Sequence, residues 1–490
     1  MTAALASPAL AGFFPDPSIC YVDGTYYLAN SSFEYFPAVP LHSSTDLRTW
    51  TPIGHAIDRP GQLDLSRATD SGGVYAPALR HHDGVFYLAT TSIGQGDGFG
   101  TFYLRADDPA DAWSDPVFLP EARGFDPSIF FDHDGASWWV QCRERDDARF
   151  WGDTEVWVRR IDLEHGRFEG PETIIGGPVM QGAAWAEGPH IHRRGRWYYL
   201  LTAEGGTAAS HAVMVSRSDS VTGPYVPFAN NPLLTHRHLG RTAPISSVGH
   251  MDWAEGSDGW HAVALATRPV DGGVVLGRET FTAALTWEDD WPVVNPGVGV
   301  LGPIAAPTVS EVCETARLEH LISERGPHGS ICDDATGVVL TAVDSGAGPA
   351  GGPGVWRRLL TRFGTVSVTV ERLDPAAVAC VALRQSDDHQ VFVAIDATHA
   401  RLVERRAGTD AVIAVHPLAD ADGAVTVVAR LHDRWVDFSI RGAHEVALGR
   451  AAIDVLTTEV AGGFVGTVFG ARPSGTTGAR TRLKGWTQSD

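Results

Sequence analysis

The stretch Phe14-Pro-Asp-Pro-Ser-Ile19, followed by Asp23-Gly-Thr-Tyr-Tyr-Leu28, decides the fold because the pattern recurs along the chain. Each copy combines a short apolar strand, a turn with glycine and a strand rich in aromatic residues. Further copies begin at Val74, Phe125, Ala186 and Val248. Five copies of one unit built from short strands predict an all-β repeat architecture. We therefore expect a five-bladed β-propeller in which the first strand of each copy lines the central axis.

The sequence pattern changes near residue 292. The segment Trp291–Pro303 is rich in glycine, proline and valine, which is typical of a closing segment and linker. Beyond it, alternating or apolar runs such as Val366–Val370 and Val425–Ile440 predict a second all-β domain. We expect a catalytic five-bladed β-propeller over residues 1–305 and an accessory β-sandwich of the jelly-roll, lectin-like type over residues 306–490.

Composition excludes several classes of function. The chain has 490 residues and a net charge of −21, and so acidic a surface repels nucleic acid and anionic membranes. Lys484 is the only lysine, which excludes a phosphate-binding or Schiff-base lysine elsewhere. No apolar run reaches 18 residues, the first basic residue is Arg48, and the five cysteines are scattered without a CxxC pair. These features predict a cytoplasmic protein.

Three carboxylates occupy the same place in their repeats: Asp16, Asp126 and Glu187. A propeller would bring them together at its axis. Glycoside hydrolysis uses one ionised carboxylate to activate water and one protonated carboxyl group to donate to the leaving oxygen, and a third negative group raises the pKa of that acid. The alternative is structural, since Asp-Pro-Ser at the start of a strand often forms only an Asx turn. The repeat by itself leaves both interpretations open.

Short segments along the first domain match one family in order: Phe13–Ser18, Ser32–Pro37, Gln62–Leu65, Ser71–Pro77, Gly124–Ser128, Ala186–His190, Tyr199–Thr207 and Leu276–Thr280. With these segments the chain resembles glycoside hydrolase family 43, and in particular its two-domain β-xylosidases. A weaker match, at Leu383–His389, resembles the accessory β-sandwich of that family. The chain end, Thr481–Trp486, departs from the acidic and aromatic strand that the family pattern would place there.

The resemblance implies an inverting, exo-acting hydrolase. By position in the motifs, Asp16 matches the general base, Glu187 the general acid, and Asp126 the residue that tunes the pKa of the acid and orients it. The repeat analysis selects the same three residues. Inversion requires room for a water molecule, so we expect the base and acid carboxyl groups about 6.5–9.5 Å apart.

The resemblance also implies polar contacts with the sugar. Arg278 matches an arginine that reaches the bound sugar, although an arginine here could instead pair with Glu279. Thr207 matches a residue close to the substrate, with an ordinary loop hydroxyl as the alternative. His250 matches a histidine near the propeller axis that in some members ligates calcium, directly or through water, and in others forms hydrogen bonds. We expect no required cofactor and leave calcium open.

Aromatic residues complete the expected site. Phe33 and Tyr75 are candidates to face the sugar, because a ring offers its π face to the C–H face of a pyranose, whereas packing within a blade is the alternative. Tyr75 departs from the tryptophan that is common at this place in related xylosidases. In relatives an aromatic residue of the second domain closes the mouth of the pocket, and here Phe464 and Phe469 are the candidates, with no sequence feature that separates them.

We therefore expect a β-xylosidase that releases D-xylose from the non-reducing end of short β-1,4-xylo-oligosaccharides. The alternatives are an α-L-arabinofuranosidase, alone or as a second activity, and a non-catalytic sugar-binding propeller. The expected partner is a small oligosaccharide, with neither nucleic acid nor membrane. A homo-oligomer is an open alternative, and the sequence does not determine the preferred chain length or aglycone.

Overall fold

The computed structural model describes residues 8–94, 99–302, 309–343, 352–418, 423–442 and 444–490. Strands dominate these residues, as the alternating sequence pattern predicts, so the prediction of an all-β protein is confirmed. One α-helix, Thr458–Ala461, is a single turn long. The 3₁₀ turns comprise Arg237–Leu239, Leu318–His320 and Asp454–Leu456. Among the described residues, no helix is both long enough and apolar enough to span a membrane.

The described residues form two compact units. The first unit draws them from Met1–Leu10, Phe14–Pro269 and Arg278–Ala306, and the second from Ala11–Phe13, Val270–Gly277 and Pro307–Asp490. The predicted boundary at 305/306 lies outside the described residues. The repeat pattern did not indicate that two short segments from within the first 305 residues belong to the second unit. Val275 and Leu276 of these segments are buried in its hydrophobic core.

The first unit contains strands that follow one another in sequence. The described strands are β1 (Ser18–Val22), β2 (Thr25–Ala29), β3 (Tyr35–Phe36), β4 (Ala38–Ser44), β5 (Thr51–Ile57), β6 (Gly73–Val74), β7 (Ala78–His82), β8 (Val85–Ile93), β9 (Phe99–Ala106), β10 (Val117–Phe118), β11 (Phe125–Phe131), β12 (Ser137–Glu144), β13 (Thr154–Asp162), β14 (Arg167–Gly176), β15 (Glu187–Arg194), β16 (Trp197–Glu204), β17 (Ala212–Ser218), β18 (Val226–Pro227), β19 (Leu234–Thr235), β20 (Ser246–Gly256), β21 (Gly259–Thr267), β22 (Glu279–Glu288) and β23 (Trp291–Val294).

All of these strands except β3 form five antiparallel sheets, each from one continuous stretch of chain. The sheets are β1-β2-β4-β5, β6 to β10, β11 to β14, β15 to β19 and β20 to β23. The long strands that open successive sheets, β1, β7, β11, β15 and β20, contact one another in turn, and β20 also contacts β1. A separate apolar cluster fills each junction between neighbouring sheets, including the junction of the fifth with the first. The five sheets therefore make a closed circuit.

The second unit contains the remaining described strands: β24 (Ser310–Cys313), β25 (Ser323–Glu324), β26 (Ile331–Asp334), β27 (Gly337–Thr341), β28 (Val355–Arg358), β29 (Gly364–Arg372), β30 (Ala377–Arg384), β31 (Gln390–Ile395), β32 (His399–Arg406), β33 (Thr409–Pro417), β34 (Ala424–Leu431), β35 (Trp435–Arg441), β36 (Glu445–Ala452), β37 (Val468–Gly475) and β38 (Arg480–Ser489). One antiparallel sheet has the order β26-β27-β38-β29-β34-β35-β36, with β24 beside β38, and the other has the order β28-β37-β30-β31-β32-β33.

A single apolar core lies between these two sheets. Alternate residues of β29, such as Val366 and Val368, meet alternate residues of β30, such as Val381 and Leu383. The chain end, which departs from the family pattern, forms the central strand β38. Phe469 is 1% exposed and packs against Trp486, which makes it a core residue of this unit, whereas Phe464 is 37% exposed.

Candidate active site

The three predicted carboxylates lie where the opening strands begin and where regular strand pairing is interrupted. Asp16 precedes β1, Asp126 is the second residue of β11, and Glu187 is the first residue of β15. The pairing of β11 with β12 shifts register between Phe125 and Ser128, and that of β15 with β16 shifts between Glu187 and His190. Such bulges turn side chains away from the regular strand alternation and are frequent beside active sites.

The backbone has positive φ angles at several of these residues. The φ angle is 51° at Asp16, 52° at Asp126 and 47° at His250, a left-handed conformation that residues other than glycine seldom adopt. Each of these residues opens or interrupts the first strand of its sheet. This recurring conformation costs free energy that the surrounding contacts must offset, a feature typical of functional sites.

Asp16 is surrounded by positive charge and hydrogen-bond donors. Arg278 donates from Nη1 to Oδ1 (2.8 Å) and from Nη2 to Oδ2 (3.3 Å), and Ser31 donates from Oγ to Oδ2 (2.5 Å). His250 Nδ1 lies 3.7 Å from Oδ1. Burial acts to raise the pKa of Asp16, but the Arg278 and His250 charges and the Ser31 hydrogen bond outweigh it and lower this pKa below the ordinary aspartate value. Asp16 is therefore ionised at neutral pH.

Asp126 and Glu187 have the opposite electrostatic environment. The Gly188 N–H donates to Asp126 Oδ2 (3.0 Å), which brings Asp126 next to β15, the strand that begins at Glu187. Burial, opposed in part by His250 and reinforced by the Asp16 charge, raises the pKa of Asp126 to about 6. Burial together with the charges of Asp126 and Asp16 raises the pKa of Glu187 well above the ordinary glutamate value. Glu187 can therefore keep its proton near neutral pH.

The structure brings four of the other predicted residues to the same place. Arg278 Nη1 also donates to Thr207 Oγ1 (3.1 Å), and its guanidinium lies over the Phe33 ring, 5.5 Å from the ring centre. The rings of Phe33 and Tyr75 meet edge to face with centres 5.3 Å apart. Burial, reinforced by the negative charge of Asp126, raises the pKa of Tyr75 to about 12, so its hydroxyl stays protonated.

The alternative partner for Arg278 is occupied by another arginine. Arg268 binds both oxygens of Glu279 through Nε and Nη2, at 2.6 Å each. Both residues of that ion pair are buried. Arg278 is thereby directed to Asp16 instead of its sequence neighbour.

His250 lies between Asp16 and the segment that follows Glu187. Its ring packs so closely on Gly188 that a Cβ atom there would come within 2.8 Å of His250 Cε1. Calcium takes about six to eight oxygen ligands, and the residues that the structure describes contain no group of three or more His, Cys, Asp or Glu side chains placed to hold a metal ion. The side chains around His250 therefore do not fit a direct calcium site.

Sequence reasoning missed two residues of this site. Ser31 binds Asp16 from the end of β2, where no repeat marks it. His211 is 1% exposed, and Asp16, His250 and Arg278 all act on its charge. Burial first, and then the positive charges of His250 and Arg278, lower the pKa of His211 to about 3, so it is neutral. Only the folded chain brings these residues beside Asp16.

A carboxylate kept ionised, a carboxyl group kept protonated and an arginine bound to the first are the groups that glycoside hydrolases use. The family model of glycosyl hydrolases family 43 matches residues 5–292, and the chain belongs to this family. It is a glycosidase, which sets aside the alternative of a non-catalytic sugar-binding propeller.

Among curated proteins, a xylosidase/arabinosidase of Butyrivibrio fibrisolvens is 45% identical over 299 residues, which are 60% of this chain and 57% of that protein. The non-reducing end alpha-L-arabinofuranosidase BoGH43B of Bacteroides ovatus is 33% identical over 508 residues, 97% of this chain and 92% of that protein. The chain thus matches little more than half the length of the first relative and most of the second.

Solved structures resemble the whole chain. The xyloglucan PUL GH43B protein of Bacteroides ovatus has a TM-score of 0.87 at 30% identity and covers 99% of both chains. The xylan beta-1,4-xylosidase of Bacillus halodurans C-125 has a TM-score of 0.89 at 26% identity and covers 99% of this chain and 100% of its own.

Proposed function

We propose that this glycosidase is an inverting exo-β-xylosidase that releases terminal D-xylose from short β-1,4-xylo-oligosaccharides. The observation that carries the proposal is the division of charge between Asp16 and Glu187. Arg278 and Ser31 bind Asp16 and favour its ionised form, whereas burial and the Asp126 charge favour the protonated form of Glu187. One group is then ready to accept a proton and the other to donate one.

In the proposed reaction, Asp16 accepts a proton from a water molecule whose oxygen attacks the anomeric carbon. The bond from that carbon to the glycosidic oxygen breaks at the same time, and Glu187 gives its proton to the departing oxygen. The new bond forms on the face opposite the broken one, so the configuration inverts. Asp126 keeps the pKa of Glu187 high, and Arg278 and Thr207 contact the sugar hydroxyls.

The architecture we propose for this function is a five-bladed β-propeller followed by a β-sandwich of the jelly-roll, lectin-like type. The closed circuit of five sheets supports the propeller, because their opening strands contact one another in turn. The core shared by the two antiparallel sheets of the second unit supports the sandwich.

The second candidate activity is α-L-arabinofuranosidase, alone or beside xylosidase activity. It is favoured by the names of the Butyrivibrio and Bacteroides relatives, one of which combines both sugars and one of which specifies the arabinofuranoside. Tyr75 places a phenol where related xylosidases often have an indole, and this difference changes the pocket wall beside Phe33.

The proposal requires no cofactor, and its partner is a small neutral oligosaccharide. We also propose that the protein is cytoplasmic. The five cysteines, all within the described residues, form no disulfide, which agrees with a reducing compartment.

The deciding experiment compares hydrolysis of nitrophenyl β-D-xylopyranoside and nitrophenyl α-L-arabinofuranoside by the purified protein, with and without a calcium chelator. We expect the xyloside to be the better substrate and the chelator to have no effect. NMR of the xylose first released from nitrophenyl β-D-xylopyranoside should detect the α anomer. Preference for the arabinofuranoside would establish the second candidate, and β-xylose as the first product would refute inversion.

A further inference from the structure

A buried carboxylate outside the proposed catalytic set connects four of the five opening strands. Asp252 on β20 has no exposed surface. It accepts hydrogen bonds from Ser18 Oγ on β1 (2.7 Å), from Arg80 Nη1 on β7 (2.8 Å) and from His192 Nε2 on β15 (2.8 Å). The Ile19 N–H adds a further bond to Oδ2 (3.1 Å). We call Asp252 with Ser18, Arg80 and His192 the Asp252 clasp.

Two clasp residues lie two positions after a residue of the candidate site. Ser18 is two residues after Asp16, and Asp252 is two residues after His250. On β11, Ser128 is two residues after Asp126 and donates to the Pro189 carbonyl on β15 (2.7 Å). Polar contacts thus join all five opening strands. Three of the residues that make them lie two positions after Asp16, Asp126 and His250, which have positive φ angles.

The segment after Glu187 depends on these contacts because its strand pairing is incomplete. The register shift between Glu187 and His190 leaves Gly188 and Pro189 without aligned partners on β16. Proline has no N–H to donate in any case. The ladder that normally holds a strand in place is therefore interrupted at the residues that determine the direction of the Glu187 side chain.

Side chains from neighbouring strands hold this segment instead. Arg80 Nη2 lies 2.9 Å from His190 Nδ1, and because a guanidinium only donates, Nδ1 must accept. Burial lowers the pKa of His190 well below its ordinary value, in keeping with a neutral ring. His192 donates from Nε2 to Asp252, and its ring packs on Trp253. The strand that carries Glu187 is thus fixed at two successive histidines.

We propose that the Asp252 clasp is a positioning device that sets where Glu187 and Asp16 stand relative to the glycosidic bond. His192 transmits this constraint to Glu187 along β15, and Ser18 transmits it to Asp16 along β1. The clasp residues are positioning residues, since they act through the carboxylates. This inference rests on the proposed function, in which Glu187 is the acid and Asp16 the base.

Substrates with different leaving groups distinguish the effect of His192 on Glu187 from the effect of Ser18 on Asp16. Xylobiose needs a proton from the acid, whereas a nitrophenyl xyloside has a leaving group that departs without one. A displaced acid therefore slows xylobiose hydrolysis far more than nitrophenyl xyloside hydrolysis. A displaced base slows both reactions by the same factor, because both need the activated water.

The test compares H192F, H192Q and S18A with a matched control in the full-length protein. Phenylalanine retains the ring that packs on Trp253 but removes the donor to Asp252, and glutamine restores a donor. The control is Y198F, which removes a buried hydrogen bond to Asp132 (2.9 Å) near the far end of β11. It produces a comparable loss of buried polar contacts without touching the clasp.

For H192F we expect kcat on xylobiose to fall about 10- to 100-fold, with less than about a threefold loss on the nitrophenyl xyloside and an unchanged KM. H192Q should recover most of the loss, S18A should slow both substrates equally, and Y198F should leave both rates unchanged. Equal loss on both substrates for H192F, or an H192F profile identical to that of Y198F, would overturn the inference.

The proposed function is tested separately by the wild-type protein. If the wild-type enzyme hydrolyses arabinofuranosides and not xylosides, the same variants are compared on nitrophenyl and methyl α-L-arabinofuranoside, which differ in leaving group in the same way. Failure of the xylosidase assignment and failure of the clasp are therefore distinct results.

Discussion

Asp16 and Glu187 are both buried carboxyl groups, and their surroundings shift their pKa values in opposite directions. Asp16 receives the Arg278 guanidinium through two hydrogen bonds and the Ser31 hydroxyl through a third. Burial and the negative charges of Asp126 and Asp16 raise the pKa of Glu187, and Arg278 opposes them in part. The pKa values of the two groups therefore move apart. Asp16 can accept a proton and Glu187 can donate one.

Replacement of Glu187 should produce a loss that depends on the leaving group. We expect E187Q to reduce kcat on xylobiose by about 100- to 10,000-fold, the usual contribution of a general acid, and to reduce it much less on nitrophenyl xyloside. D16N should abolish turnover of both substrates to a similar degree. Steady-state kinetics on the two substrates measure this. Equal losses for E187Q on both would assign the acid role to another residue.

Asp126 should make the folded protein less stable at neutral pH. Its pKa of about 6 in the folded state is above the ordinary value of 3.8, so its favourable contribution is complete below pH 3.8 and is lost as the pH rises through 6. We expect D126N to increase the free energy of unfolding by about 1–3 kcal/mol at pH 7.5 and to leave it unchanged near pH 4. Thermal unfolding at both pH values measures the change.

Asp132 provides the control with the opposite sign. Its pKa is lowered, because hydrogen bonds from His133 and Tyr198 outweigh burial, so the ionised form stabilises the fold above the ordinary aspartate pKa. D132N should therefore lose stability at pH 7.5. A D126N variant that is less stable than wild type at pH 7.5 would contradict the electrostatic account of Asp126.

At the scale of elements, the bulge after Glu187 allows β15 and His250 to approach each other. Gly188 has a φ angle of 57°, and its Cα lies against the His250 ring, so that no side chain fits there. Proline follows at the next position, where a strand interior would need an N–H. The Glu-Gly-Pro-His motif is thus explained by backbone shape as much as by the carboxyl group.

A methyl group at Gly188 should disturb the site beyond its effect on the backbone. We expect G188A to cost about 1 kcal/mol for the left-handed conformation and also to displace His250, which should lower kcat/KM at least about tenfold. The matched control is G195A in the turn after β15, which has a φ angle of 59° and nothing within 4 Å of the added Cβ. G195A should lose similar stability and keep its activity. Equal activity of the two variants would refute the close approach.

The sequence predicted the strands and the three carboxylates because both recur with the repeat. The copies at Phe14, Phe125 and Ala186 lead directly into β1, β11 and β15. Ser31, His211 and the Asp252 clasp could not be predicted in this way. Their roles depend on side chains from different sheets, such as Ser18 and Asp252, which are 234 residues apart. A repeat indicates which positions are equivalent, and it does not indicate which unlike residues will meet.

At the scale of the whole molecule, the net charge of −21 creates a negative field around the protein. The proposed substrate is neutral, so this field neither attracts nor repels it. The field does act on a substrate that carries a carboxylate, and salt screens that repulsion over a Debye length of about 10 Å at 0.1 M.

We therefore expect kcat/KM for xylotriose to stay nearly constant between about 0.02 and 0.5 M sodium chloride. For a xylo-oligosaccharide of similar length that carries one glucuronic acid, KM should fall as salt increases, with kcat unchanged. Parallel kinetics on the two substrates measure the difference. The same salt dependence for both would mean that salt acts on the protein and not on the encounter.

The closed circuit of five sheets also has a consequence for how the chain folds. Each sheet is one continuous stretch and can form as soon as its own strands exist, but the circuit closes only when β20 to β23 meet β1. Before that moment the first and fourth sheets each present an uncovered apolar flank. During synthesis Asp16, Glu187 and His250 therefore come together last, and until then the incomplete first unit exposes these two apolar flanks.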